Sequence, residues 1–477
     1  MNHKPIQFKD LGLTFTHKIC FSAFSGQILY GDKIAIIGRN GSGKSTLLQM
    51  LHGKGLRDGC LNLPNDLCTA LVPQVINDLS ELSGGERINR ALSKALALNP
   101  NCLLLDEPTN HLDSDNRRTL IRLLQNYQGS LILVSHDIEL IDACTDILWH
   151  IDSPTINVFS GSYADYQSNL NQKKLSIEKE LTQLKRQKKD MHEKLMQEQT
   201  RAAKSRINGE KKVKNKKWLK MVGDLKSMNA EKSQGKKLKL METRKQELAE
   251  QLSQIRQPEI IVPKFSVKAA EHSKTIIAVR NATLGYANGE NILKNIDFQV
   301  HPGERIALCG ANGSGKSSFL KALLEEPSIT KTGEWIIPKP SEIGYLDQHY
   351  ANLDPDKTVL ELLKEKLSHA SHAELRLHLN MFLFRKNEEV DALSCQLSGG
   401  EKARLSLALI AAKPPALLIL DELCNNLDLE TKTHVQQVLL EFQGALIVIA
   451  HDETFLKAIN IQTRYQINQA QLDVEKR

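Results

Sequence analysis

The residues best equipped for chemistry in this chain come in two glycine-rich loops. One reads Gly38-Arg39-Asn40-Gly41-Ser42-Gly43-Lys44-Ser45, followed by Thr46; the other reads Gly310-Ala311-Asn312-Gly313-Ser314-Gly315-Lys316-Ser317, followed by Ser318. Both fit G-x-x-x-x-G-K-[ST], and each follows a short apolar run, Ile34-Ala35-Ile36-Ile37 or Ile306-Ala307-Leu308-Cys309. Strand, glycine-rich turn and helix in that order make a phosphate-binding loop. The glycines let backbone N–H groups close around phosphate oxygens, and the helix N-terminus favours the anion. Lys44 and Lys316 are placed to reach the β- and γ-phosphates of a nucleoside triphosphate. The Ser45 and Ser317 hydroxyls are placed to ligate Mg²⁺.

Each loop has the same downstream series. Leu103-Leu104-Leu105-Asp106-Glu107 and Leu417-Leu418-Ile419-Leu420-Asp421-Glu422 read as buried strands ending in two acids. Asp106 and Asp421 are expected to hold Mg²⁺ through water, and Glu107 and Glu422 to act as general bases on the attacking water. Two adjacent acids after a strand can also cap a helix, but here both pairs lie downstream of a phosphate loop. Leu82-Ser83-Gly84-Gly85-Glu86 and Leu397-Ser398-Gly399-Gly400-Glu401 each offer a hydroxyl and bare amides at a helix start. Alone, either is a tight turn with a cap. Each lies 20 residues before its acidic pair, from 86 to 106 and from 401 to 421, which makes them paired anion-binding turns. Gln74 and Gln348 stand where a Mg²⁺- and water-sensing glutamine belongs. His136 and His451 follow apolar strands and are expected to contact the γ-phosphate, although a lone histidine there would ordinarily be a packing residue. Asp113 and Asp428, at the turn after each acidic pair, are placed to link two sites. Tyr286 is a candidate to stack on adenine, with Phe15 its weaker equivalent.

These motifs need scaffolds. At 477 residues the chain has room for two or three domains with cores of their own. No run approaches the ~20 apolar residues of a membrane span. No start resembling a signal peptide and eight scattered cysteines without a C-x-x-C pair fit reduced thiols in the cytoplasm. The net charge of +7 is unevenly spread. Residues 171–257 hold 25 Lys+Arg against 11 Asp+Glu, a net of +14, so the remainder carries −7. A polyanion is the natural partner of such a segment. Its apolar residues repeat as a/d seams: Ile177, Leu181, Leu184, Met191 and Leu195, then Met241, Leu248, Leu252 and Ile255, with polar slots at Lys188 and Lys245. Two antiparallel helices around an apex that spans Arg201 to Gly235 are expected. The expected division is 1–162, a first α/β nucleotide-binding cassette; 163–260, a basic helical hairpin; and 261–477, a second α/β cassette.

With both turns in place, the chain resembles ATP-binding cassette (ABC) proteins, and within them the ABC-F family. The residues that carry the resemblance are Asp106-Glu107-Pro108-Thr109-Asn110-His111-Leu112-Asp113, the Phe159-Ser160-Gly161-Ser162-Tyr163-Ala164-Asp165-Tyr166 stretch, and the basic helical linker. It covers nearly the whole chain. The resemblance implies ATP and Mg²⁺ as cofactors and ATP hydrolysis at two composite sites. One pairs the Lys44 loop with Ser398 to Glu401, the other the Lys316 loop with Ser83 to Glu86. It implies pairing of the cassettes within one monomer and no membrane partner. It also implies that the linker enters the ribosome at the tRNA exit site and touches rRNA and peptidyl-site tRNA. The tip, about Lys217 to Ala230 with Trp218, Leu219, Met221, Leu225 and Met228, would then act on the peptidyl-transferase centre, against antibiotics or on stalled translation. Three features depart from longer members. Only seven residues, Val75 to Glu81, separate Gln74 from the first turn, so the first helical subdomain is almost absent, as in compact antibiotic-resistance members. Only 27 residues, Leu47 to Pro73, separate the Ser45-Thr46 pair of the first loop from Gln74, too few for an inserted helical arm. The second copy reads Asp421-Glu422-Leu423-Cys424-Asn425-Asn426-Leu427-Asp428 and lacks the Pro-Thr of the first, which suggests unequal sites. A DNA-maintenance ATPase bound to branched DNA stays open, since a basic hairpin does not tell rRNA from DNA. So does the ATPase subunit of a membrane importer, although a +14 insert serves no evident purpose there.

Overall fold

The computed structural model describes residues 3–15, 18–55, 58–74, 84–110, 112–214, 239–240, 243–244, 247, 275–286, 291–347, 350–423, 427–468 and 470–475. The chain divides into two compact units, residues 1–163 with 261–477, and residues 164–260.

The first unit holds the same architecture twice. Buried apolar runs form the centre of each six-stranded sheet, because a strand covered on both faces needs no polar side. In the first copy the strand order is Thr69–Val72, Cys102–Asp106, Ser130–Val134, Lys33–Gly38, Ile147–Asp152, Thr155–Ser160. In the second it is Ile343–Leu346, Leu417–Asp421, Ala445–Ile449, Arg305–Gly310, Thr463–Asn468, Gln471–Glu475. The first five strands of each are parallel and the last is antiparallel. Each copy adds a three-stranded antiparallel sheet, Lys18–Ile28, Ile6–Phe15, Asp58–Asn62 or Asn291–Val300, Ile277–Tyr286, Ile329–Ile336. Aromatic clusters fill the core beside these smaller sheets. Phe8 stacks on Phe24 at 4.9 Å with Trp149 edge-on to both, and Phe298 lies between Phe319 and Tyr465 at 5.1 and 4.6 Å.

This topology positions the site. In parallel α/β sheets ligands sit beyond the carboxyl ends of the strands. There the chain places both glycine loops, both acidic pairs and both histidines. The copies differ in the segment after each glutamine. The second inserts helices Val359–Lys366, His372–Met381 and Asn387–Val390 around buried Leu363, Leu379, Phe382 and Phe384. Thr358 and Ser371 start the first two with reciprocal caps to Glu361 and Glu374. In the first copy only residues 75–83 separate Gln74 from the next helix. They lie outside the described residues, and so short a stretch has no room for three helices.

The second unit contains one long described helix, continuous from Tyr163 to Lys214, 52 residues. Leu181 and Leu195 are buried, and Ile177, Leu184, Lys188 and Met191 half-buried, so the expected seam is its covered face. The expected apex is corrected at its start: Arg201 to Lys214 continue the helix. This stretch is dense in Lys, Arg, Ala and Glu, which favour helix without an apolar seam. Residues 215–238, which include the expected tip at Trp218, Leu219, Met221, Leu225 and Met228, lie outside the described residues, as do the second-seam positions Met241, Leu248, Leu252 and Ile255. Among the described residues no helix is long and apolar enough to cross a membrane.

Candidate functional site

Each glycine loop ends in a left-handed residue that starts its helix. Gly43, at φ +93°, precedes the helix Lys44–Leu51, and Gly315, at φ +103°, precedes Lys316–Leu323. A Cβ on Gly43 would lie 2.6 Å from Leu13 Cδ2, and one on Gly315 2.7 Å from Ile292 Cγ2. Only glycine meets both conditions. Lys44 Nζ donates back to the carbonyls of Gly38 at 2.8 Å and Arg39 at 3.1 Å. Lys316 Nζ donates to the carbonyls of Gly310 at 2.7 Å and Ala311 at 2.9 Å. Both ammoniums are buried and poised inside the loop. Burial draws the pKa of each below the usual lysine value, against the pull of nearby acids.

The acids follow their strands as expected. Asp106 and Glu107 are buried at the end of Cys102–Asp106. Glu107 takes φ +49° and Glu422 φ +50°, left-handed backbone that glutamate rarely adopts. The Glu107 N–H is held by the Val134 carbonyl at 2.8 Å, and the Glu422 N–H by the Ile449 carbonyl at 3.0 Å. Each bend is thereby imposed by the neighbouring strand, the one that leads to His136 or His451. The His136 N–H donates to Glu107 Oε2 at 3.3 Å, and His136 Nε2 lies 3.4 Å from Oε1. Burial pushes Glu107 up to about 8, with Lys44 pulling the other way. Burial pushes His136 down to about 3, so its ring is neutral. Asp421 is raised to about 6, first by burial and then by Glu422, and Asp106 is raised by burial. His451 is lowered by burial and then by Lys316.

Among the described residues, Asp106 Oδ1, Ser42 Oγ, Ser314 Oγ and His451 Nε2 are buried without a hydrogen bond, and Glu107 Oε1 and His136 Nε2 have only their 3.4 Å approach to each other, without hydrogen-bond geometry. Orphaned polar atoms of this kind demand an explanation. Acceptors beside the hydroxyl of Ser45, and donors around two phosphate loops, match Mg²⁺ and a polyphosphate. Gln74 is exposed just past the end of its strand, and Gln348 lies outside the described residues. The hydroxyl of Tyr286 is 3.2 Å from Ser318 Oγ, so this exposed ring stands beside the second loop. Phe15, half exposed at 50%, ends the equivalent strand of the first copy.

Ser398 starts the helix Gly399–Ala412 and forms a reciprocal cap with Glu401. Glu401 Oε2 accepts from the Ser398 N–H at 2.8 Å and from its hydroxyl at 2.7 Å. The capping reading of this turn therefore holds. Gly84, Gly85 and Glu86 open the helix Gly84–Ala97, and Ser83 lies outside the described residues.

The two copies meet at these turns. Asp428 caps the helix Leu429–Glu441, accepting the Thr431 N–H at 2.8 Å, and its other oxygen accepts the Asn40 N–H of the first glycine loop at 3.0 Å. Burial alone would raise this carboxyl, but the N–H groups of Thr431 and Asn40 hold it below its usual value. A Cβ on Gly400 would lie 3.8 Å from Asn40 Nδ2. The first loop thus faces the second copy's turn. The charges reciprocate: Asp428 acts on Lys44 and His136, and Asp113 acts on Lys316 and His451. Asp113 also caps its own helix, accepting the Asn116 N–H at 3.0 Å.

Sequence reasoning missed three supports. Arg117 grips Asp137, the residue after His136, at 2.5 and 2.6 Å, and Lys432 pairs with Asp452 after His451. The signal that could have found them is the doublets His136-Asp137 and His451-Asp452. Arg39 reaches Glu430 across the two copies, for which the only hint is arginine in one loop against alanine in the other.

The ABC transporter family model matches residues 21–60 and 293–425. The ribosome protection protein VmlR of Bacillus subtilis (strain 168) is 30% identical over 92% of this chain and 82% of its own length. The erythromycin resistance ATP-binding protein MsrA of Staphylococcus epidermidis is 28% identical over 96% of this chain and 95% of its own. Some other relatives are longer, and the chain spans 54% to 58% of their length. Among solved structures, a model of ribosome-bound archaeal Pelota and ABCE1 matches the fold with a TM-score of 0.61 at 16% identity. It covers 98% of this chain and 78% of that one. The duplicated loops, acids and turns, on a duplicated α/β sheet and with these relatives along nearly the whole length, show that the chain belongs to the ABC-F family of twin-cassette ATP-binding proteins.

Proposed function

We propose that this chain is an ATPase with two composite sites that works on the ribosome. One site joins the Lys44 loop to Ser398, Gly399, Gly400 and Glu401. The other joins the Lys316 loop to Ser83, Gly84, Gly85 and Glu86. The Asn40–Asp428 bond across the copies supports the first pairing. In each site the lysine exchanges its loop carbonyls for β- and γ-phosphate oxygens. Ser45 and Asp106, with Gln74, would hold Mg²⁺ at one site, and Ser317 and Asp421, with Gln348, at the other. That ion would neutralise charge developing on the phosphates. Glu107 and Glu422 take the proton of the attacking water. Burial makes the Glu107 carboxylate a stronger base than an exposed glutamate. The neutral His136 and His451 donate towards the γ-phosphate, and Tyr286 stacks on the base. Nucleotide binding closes the cassettes and hydrolysis releases them.

The observation that carries the ribosomal reading is the 30% identity to a ribosome protection protein over 92% of this chain, joined to an insert with a net charge of +14. The basic helix from Tyr163 and the segment beyond it contact rRNA and peptidyl-site tRNA from the tRNA exit side. The tip acts near the peptidyl-transferase centre, displacing an antibiotic or relieving a stalled peptidyl-tRNA. The protein works as a cytoplasmic monomer.

The double variant Glu107→Gln, Glu422→Gln keeps both phosphate loops and loses both bases, so it stays closed on ATP. In a sucrose gradient with ATP it is expected to co-migrate with 70S ribosomes, and to lose them when Lys211, Lys212, Lys214, Lys216 and Lys217 are neutralised. Material that stays at the top of the gradient while binding branched DNA would replace the ribosomal reading with a DNA-maintenance one.

A further inference from the structure

We propose that Arg39 is a positioning residue for one site only, tied by an ion pair with Glu430 of the other cassette into a charge latch that the Lys316 loop lacks. This rests on the composite-site reading and adds that the two sites are mechanically unequal. Arg39 Nε lies 2.5 Å from Glu430 Oε2, and Nη2 2.6 Å from Oε1, a fork-on-fork pair. Its consequences run inward. The Arg39 carbonyl accepts from Lys44 Nζ at 3.1 Å, and the next residue, Asn40, donates its N–H to Asp428. Two consecutive loop residues are therefore bound to two acids on one turn of the opposite cassette, and one of them cradles the phosphate-binding lysine. The duplication offers no equivalent. Ala311 stands where Arg39 stands and carries no charge. Asp115 stands where Glu430 stands and lies 3.6 Å from Arg118 of its own helix.

The latch is a modest device. Both side chains are well exposed, 70% and 56%, so solvent and salt weaken the pair. An exposed pair with good geometry slows opening by up to about fivefold at low ionic strength, and by almost nothing at about 1 M salt. Nucleotide therefore leaves the Lys44 site more slowly than the Lys316 site in low salt, and the difference vanishes in high salt.

The test is release of a fluorescent ATP analogue from the full chain carrying Glu107→Gln and Glu422→Gln, with phases assigned through Lys44→Ala and Lys316→Ala. Glu430→Ala and Glu430→Gln are each expected to speed the Lys44-site phase about two- to fivefold and to remove its salt dependence. Asp115→Ala should change neither phase. The exchange Arg39→Glu with Glu430→Arg should restore the slow phase, which a merely structural role would not do. The latch is overturned if Glu430→Ala leaves the Lys44-site phase unchanged, or if Asp115→Ala acts equally. Asp428→Ala separates the two ideas. If it also leaves Lys44-site release unchanged, the composite site itself fails; if it speeds release while Glu430→Ala does not, only the latch fails.

Discussion

Asp428 offers a sharp test of how the cassettes are joined, because one buried carboxylate does two separable jobs. It is 6% exposed, caps its own helix through the Thr431 N–H and binds the Asn40 N–H of the opposite glycine loop. Loss of an N-cap costs about 0.5–2 kcal/mol, and loss of a hydrogen bond to a charged acceptor about 1.5–3 kcal/mol. The two share one group and do not add fully, so Asp428→Ala should cost about 2–4 kcal/mol in urea unfolding. Asp428→Asn keeps a good cap and loses the charge, and should cost about half as much. The decisive measurement is made in the Lys316→Ala background, where nucleotide binds at the Lys44 loop. There Asp428→Ala should reduce the stabilisation gained from saturating ATP, although the substitution lies in the other cassette. Asp113→Ala breaks an equivalent cap, at 3.0 Å to the Asn116 N–H, but faces the Lys316 loop. It should lower stability without touching the ATP-dependent gain. Equal losses of that gain for the two variants would show that Asp428 does no more than cap its helix.

Two further outcomes rest on the same geometry. Glu107 has its carboxyl raised by burial to about 8. The stability it permits is complete below the unfolded value near ~4.5 and is lost as pH rises through 8, since the unfolded chain ionises freely. Without nucleotide, Glu107→Gln should therefore melt higher than the parent, by a margin that widens from about pH 4.5 to about pH 8 and levels off above it; a margin that is flat across that window would refute the burial argument. Gly315→Ala places a Cβ 2.7 Å from Ile292 Cγ2 at φ +103°. It should cost about 1–3 kcal/mol and abolish nucleotide binding at that loop while sparing the other, as read by titration of each site.

Much of the site is legible in the sequence because its parts are local. A glycine loop, a strand ending in two acids and a serine-glycine turn each specify their own geometry within a few residues, and duplication removes coincidence. The central strands are legible for the same reason, since each motif needs its strand. What escapes depends on distance. Arg39 and Glu430 are 391 positions apart, and nothing in either neighbourhood points to the other. Asp428 is marked as a link by its place in the turn, but its partner, the N–H of Asn40, belongs to the backbone, which side-chain patterns do not reveal. The helix runs past Arg201 because charged residues of high propensity carry it to Lys214, where an apolar seam gives no sign of it. At the Ser398 turn the cap is legible because Ser398 and Glu401 have the three-residue spacing of a reciprocal cap.

The left-handed backbone at Glu107 and Glu422 sets a standing conflict between folding and turnover. A side-chain-bearing residue there costs on the order of 1–2 kcal/mol relative to glycine. The chain accepts this cost twice, at the two residues proposed to carry the water-activating carboxylates. Stability alone favours glycine at each position, whereas the proposed hydrolysis needs glutamate there. A copy of this gene released from the need to hydrolyse ATP should erode first at these two codons, while the phosphate loops, which also bind, persist longer.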